Sequence, residues 1–166
     1  PDILLMGGDY HEGCQYVPML FNELAKIQTA DGKYAVLGNN DYEDCYADII
    51  EAMKQTGVVL LEHKLDTITR NDYHIVLAGV RNPFDLKQNG VTPTLPLAGN
   101  DFVVLLVHTP DYAEDVPITN TDLVLAGHTH GGQVTAFGIY APIIPSKYGQ
   151  RFRTGMKKTS AGIPVI

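Results

Sequence analysis

Short apolar runs that stop at glycine-flanked polar residues recur along this chain. Ile3 to Met6 ends in Gly7-Gly8-Asp9, and Tyr34 to Leu37 ends in Gly38-Asn39-Asn40-Asp41. Phe102 to Val107 ends at His108, and Leu123 to Leu125 leads into Ala126-Gly127-His128-Thr129-His130. Runs of this length bounded by turn residues predict buried strands. Between the first two, Val17, Leu20, Phe21, Leu24 and Ile27 recur at helical spacing, with Pro18 suited to the first turn. Tyr46, Ile49, Ile50 and Met53 mark a second amphipathic helix, and Gly57 sits where a helix C-terminal glycine belongs. Repeated strand–loop–helix units predict an α/β fold with right-handed crossovers.

The middle of the chain changes rhythm. Val58 to Leu61, Leu65 to Thr69 and His74 to Val80 are closely spaced strand-like runs, which predict an antiparallel meander or hairpin. Arg81 to Asn100, rich in Pro, Gly and Asn, reads as a long loop with one short helix near Phe84 to Lys87. Val134 to Ile139 is expected to resume the sheet, and Tyr140 to Gly149 to form a loop. Apolar strands at both termini predict one domain, residues 1–166, cut at both ends.

Composition narrows the reading. The 166 residues are 45% hydrophobic and 19% charged, enough for a core without staples. A net charge of -7 and the lack of a basic run give no nucleic-acid footprint. A chain this acidic needs a local device to attract phosphate, and bound cations are one such device. Cys14 and Cys45 fit no disulfide framework or zinc pattern, and Cys14 reads as a small buried residue.

Four strand ends thus carry one kind of chemistry: Asp9, Asn39, His108, and the pair His128 and His130. Singly, each has a structural explanation, such as a turn former or a core histidine. Together they exceed it, because turn chemistry does not select histidine three times. Ligands bind at the carboxyl ends of strands in α/β sheets. Mixed oxygen and imidazole donors suit Mn, Fe or Zn, and the lack of thiolates argues against structural zinc.

In their order, Gly8-Asp9, Gly38-Asn39-Asn40-Asp41, His108 and Gly127-His128-Thr129-His130 resemble the calcineurin-like metallophosphoesterase superfamily. The extension to Gly131-Gly132-Gln133 is similar to a bacterial, often membrane-associated branch. The resemblance implies a four-layer αββα sandwich of two mixed β-sheets flanked by helices. It implies a metal-dependent phosphoesterase in which a metal-bound hydroxide at a dinuclear site attacks a phosphodiester or phosphomonoester. Asp9 would bridge two ions, with Asn39, His108 and His128 on one and His130 on the other. The substrate would be a small-molecule or lipid-linked phosphoester, and membrane association would come through segments outside these residues.

Two departures qualify what is implied. The family's Asp-x-His motif belongs on an earlier strand, so the ion held by His130 is expected to be incomplete in this chain. The family usually has His where Asn40 stands, and Asn40 cannot deliver a proton at neutral pH. Asn40 and Asp41 are catalytic candidates, and His11 is a stand-in proton donor beside a solvated-loop reading. Tyr148, Arg151 and Arg153 are structural residues that could also touch a phosphorylated substrate. The alternative function is a non-catalytic or weakly active metal-binding module with the same fold.

Overall fold

A computed structural model describes residues 1–81 and 92–166. Strand β1 (Leu4–Met6) is followed by helix α1 (Val17–Ala25), β2 (Lys33–Ala35), α2 (Tyr46–Gln55) and β3 (Val58–Leu60). The three strands form one parallel sheet in the order β1-β2-β3, with Leu5 beside Tyr34 and Tyr34 beside Val59. Alternate residues of β2 and its extension face opposite ways, as a strand requires. Ala35 and Leu37 pack with Val17, Phe21, Ile49 and Met53 beneath the two helices. Tyr34 and Val36 pack instead with Leu61, Leu77, Val104 and Leu106 between the two sheets.

The second sheet has six strands in the order β4-β5-β6-β7-β9-β8. They are β4 (Lys64–Arg70), β5 (Tyr73–Gly79), β6 (Phe102–Val107), β7 (Leu123–Ala126), β8 (Lys157–Lys158) and β9 (Pro164–Val165). Pairs β4/β5 and β8/β9 are antiparallel, whereas β5/β6, β6/β7 and β7/β9 are parallel. Its outer face carries Val76, Ala78, Val103, Leu105 and Val124 against the one-turn helix α3 (Tyr112–Asp115), Ile118 and Phe152. The expected layering of two sheets flanked by helices is therefore present; the smaller sheet is parallel throughout and the larger one is mixed.

Three expectations change. The run from Val58 does not open the meander: β3 pairs parallel with β2, and only β4 and β5 form the hairpin. Helix α2 returns the chain to the first sheet before Leu61 crosses over, and residue periodicity does not encode which strand is the partner. Val134 to Ile139 does not resume the sheet. Its sole ladder-like contact among the described residues is an isolated Ala136–Tyr140 bridge, and Phe137 and Gly138 adopt positive φ in a turn. Finally, Cys14 and Cys45 form a disulfide, which spacing did not suggest. They lie on loops after adjacent strands β1 and β2, so the pairing follows from tertiary adjacency. The short helix expected at Phe84 to Lys87 lies outside the described residues.

Candidate metal centre

Parallel strands β1, β2, β6 and β7 deliver their carboxyl ends to one edge of the molecule, where ligand sites form in such sheets. Two glycines let the strand ends approach. A Cβ on Gly8 would run into the Gly38 backbone, and one on Gly38 would overlap the Asp9 carboxylate. Gly8 has φ of 100°, which favours glycine. Asp9 itself turns at φ 60°, which aims its side chain back across the strand ends.

Four donor atoms converge there. Nε2 of buried His108 lies 3.2 Å from Asn39 Oδ1, 3.1 Å from His128 Nδ1 and 3.3 Å from Asp9 Oδ2. One donor atom from each of Asp9, His108 and His128 lies within 4.8 Å of the others. The Nδ1–H of His108 donates to the Gly7 carbonyl at 2.7 Å, which fixes the ring with Nε2 facing the group. The donors fit a cation. An ion 2.0–2.2 Å from each ligand would place neighbouring ligands about 3 Å apart. The Asp9 and Asn39 oxygens crowded against the His108 and His128 nitrogens also suit a cation.

Electrostatics agree with a site kept ready for a cation. Burial opposes ionisation of Asp9, but the His108 hydrogen bond and charge, the Asn40 N–H and His128 together hold its carboxyl below the usual range. Burial first, and then the neighbouring His108 charge, lower the His128 pKa, so its imidazole favours the neutral, metal-ligating form. Asn40 serves Asp9 directly: its backbone N–H donates to Oδ1 at 3.1 Å and its Nδ2 to Oδ2 at 3.2 Å.

Asp41 occupies a different position from the donors. It is fully buried and accepts N–H groups of Asp9, Tyr10 and Gly38, each at 2.7 Å. One carboxylate thus ties the β1 loop to the β2 loop. Tyr10 supports the same junction, donating its hydroxyl to Val36 O at 2.7 Å; burial pushes its pKa up. Sequence reading placed Asp41 in the motif without this bonding role, since three backbone partners from two loops leave no local signature.

His130 and His11 stand apart from the group of donors. His130 is exposed at φ 52°, with Nδ1 3.2 Å from the Gln133 side-chain amide. It lines the same cleft of about 480 Å³ as Asp9, His108 and His128, together with Arg153. His11 Nε2 donates to the Asn40 carbonyl at 3.0 Å, and its Nδ1 lies 3.4 Å from Cys45 Sγ. Tyr148 donates to Asp115 and Arg151 pairs with Glu114, so both serve the scaffold. Arg153 braces the His130 turn through the carbonyls of Gly131 and Gly138 at 3.3 and 3.0 Å.

Residues 1–132 match the family model described as calcineurin-like phosphoesterase, and the chain belongs to that family. An uncharacterized metallophosphoesterase of Aquifex aeolicus is 34% identical over 80% of this chain and 52% of its own length. The uncharacterized metallophosphoesterase YkuE of Bacillus subtilis is 28% identical over 97% of this chain and 58% of its own length. A protein of Escherichia coli named phosphodiesterase YaeI is 27% identical over 87% and 54%. The chain therefore spans about half the length of these curated relatives. The fold matches the Haemophilus influenzae NAD nucleotidase structure with a TM-score of 0.62 at 14% identity, covering 99% of this chain and 39% of that one. As a phosphoesterase-family chain it carries a hydrolase fold and a candidate metal group. Among the described residues no helix is long and apolar enough to cross a membrane.

Proposed function

We propose that this domain hydrolyses a phosphodiester or phosphomonoester at a site holding two divalent or trivalent ions of Mn, Fe or Zn. The observation that carries the reading is the convergence of Asp9, Asn39, His108 and His128 on one point at the strand ends. Metal ions held there supply Lewis acidity to phosphoryl oxygens and lower the pKa of a water in the site. Asp9 has a second carboxylate oxygen to share, and His130, on the same cleft, is the residue this chain offers to the second ion. Asn40 fixes Asp9 through two hydrogen bonds and presents an amide rather than an acid near the leaving group. Asp41 acts as a positioning residue: it sets the loops that aim Asp9 and Asn39. His11, bonded to the Asn40 carbonyl, is the nearby imidazole assigned to proton donation; an unchanged pH–rate profile in His11→Ala would remove it from that role.

The test is hydrolysis of bis(p-nitrophenyl) phosphate and p-nitrophenyl phosphate by the metal-stripped intact protein, resupplied with Mn, Fe, Zn or Mg. Metal-dependent turnover that disappears in Asp9→Ala supports the reading, and the preferred ester separates diester from monoester activity. The absence of turnover with metals measured in place favours a metal-binding module without catalysis. Asn40, an amide that cannot deliver a proton where the family usually has His, is what favours that second reading.

A further inference from the structure

The chain after the His130 turn is unusual for a surface. Between Gln133 and Ser146 no residue carries a charge. Its large apolar side chains point outward: Phe137 is 99% exposed, Ile143 80%, Ile139 79% and Val134 74%. Contiguous exposed apolar surface on an otherwise charged protein marks a place where something apolar binds. The loop is not loose. Arg153 holds Gly131 and Gly138, and Gln150 grips both the N–H and the carbonyl of Ala141. A fixed backbone that presents bare apolar groups is the form of a binding surface rather than of a frayed strand.

These residues enclose one side of a groove of about 490 Å³, lined by Val134, Pro142, Ile143 and Pro145 and by Thr129 and His130. Thr129 and His130 also line the cleft that holds Asp9, His108 and His128. The polar cleft and the apolar groove therefore share a wall formed by Thr129 and His130. Resting on the phosphoesterase reading above, we propose that the groove is the subsite for a long apolar chain on the phosphoester substrate. The phosphoryl group would sit against the donor cluster, and the chain would pass His130 to lie on Val134 and Ile143. Pro142 and Pro145 keep that wall rigid, so little order is lost when the chain binds. The net charge of -7 disfavours an anionic membrane surface as the occupant and leaves a single amphiphile as the better match.

The test measures binding apart from turnover. Calorimetry on the metal-loaded intact protein compares ethyl-, butyl- and octylphosphonate, whose C–P bond is not hydrolysed, each below its aggregation threshold. Burial of added methylenes should tighten octylphosphonate over ethylphosphonate by at least about tenfold. Val134→Ser and Ile143→Ser alter exposed side chains, so folding should survive, which circular dichroism checks. Each should erase most of the chain-length gain and leave ethylphosphonate affinity unchanged. Equal affinities across chain lengths, or a gain that survives both substitutions, would overturn the subsite. A gain that tracks dimerisation in sedimentation would also overturn it, by giving the face to a second copy. Chain-length-dependent binding without hydrolysis of any ester would leave the subsite standing and remove the phosphoesterase reading. Hydrolysis of short esters without the gain would do the reverse.

Discussion

The two loop systems that meet at the cleft hold their donors in opposite ways. The loops after β1 and β2 are fixed by buried bonding. Asp41 takes three N–H groups, Tyr10 bonds across to Val36, and the Cys14–Cys45 bridge ties the outer parts of both loops. The loop after β7 is fixed by backbone conformation and outside braces. His128, His130, Gln133 and Phe137 have φ of 67°, 52°, 39° and 53°, where a side chain costs about 1–2 kcal/mol. The first system aims the Asp9 and Asn39 oxygens at the donor group from a junction tied by buried Asp41. The second leaves apolar groups in water. A charged donor must be held to fractions of an ångström, which requires satisfied, buried partners. A surface that grips an apolar chain needs only shape and area.

The sharpest separation of the two roles should come from Asp9→Ala. It removes the carboxylate shared by the donors, and metal-dependent hydrolysis should fall by at least about 10³-fold, comparable to losing a central electrostatic group. Stability should change by less than about 1 kcal/mol, because Asp9 is partly exposed and its partners can bond water. Steady-state kinetics and urea denaturation on one sample measure both.

Asp41→Ala should break the first system instead. Three N–H groups, one buried and two partly buried, lose their acceptor at a cost of about 1–3 kcal/mol each, so the total should be about 3 kcal/mol. Activity should fall along with the urea midpoint, whereas Asp9→Ala loses activity alone. Equal midpoints for the two variants would show that Asp41 does not hold the loops.

Replacing both Cys14 and Cys45 by alanine frees a 31-residue loop and should destabilise the protein by about 3 kcal/mol, read as a lower melting temperature. A reductant added to the unaltered protein should reproduce the shift, and the double variant should no longer respond to it.

Arg153→Ala addresses the second system. It removes donors to Gly131 and Gly138 and should cost about 1–2 kcal/mol. Protection of amides in residues 131–140 should drop in hydrogen exchange, with the loops after β1 and β2 unaffected.

The smallest effect serves as a control outside both systems. Burial lowers the His63 pKa, Glu62 opposes that shift and Arg81 adds to it; the ring accepts the Arg81 N–H at 3.1 Å. With the folded value below the unfolded value of about 6.5, the unfolded chain binds more protons between them. Stability should therefore be full above about pH 6.5 and decline as pH falls through the folded value. His63→Gln should flatten that part of the denaturation-midpoint profile without touching hydrolysis.

How much of this was legible from residues alone follows from what each signal encodes. Asp9, Asn39, His108 and His128 could be singled out because each closes an apolar run, and a run's end is visible in the sequence. Parallel strands carry such ends to one edge, so four local signals became one cluster. The helices over Val17 and Ile49 were legible for the same reason: burial on one face repeats with the period of the element. His130 was assigned to a second ion, and it lies outside the three-residue group on the wall of the same cleft; the positive φ at both histidines is not written in residue order. The run from Val134 to Ile139 looks like a strand, but among the described residues no neighbouring strand offers it a ladder, and Gly138 turns it back on itself. The partner of β3, the bonding of Asp41 and the Cys14–Cys45 bridge all join segments distant in sequence. The sequence by itself determined the main strands and helices around the site and which chemistry stands at their ends, because those signals are local. Only the tertiary structure decided which ends meet and which loops are tied, because those outcomes depend on how whole strands and loops pack.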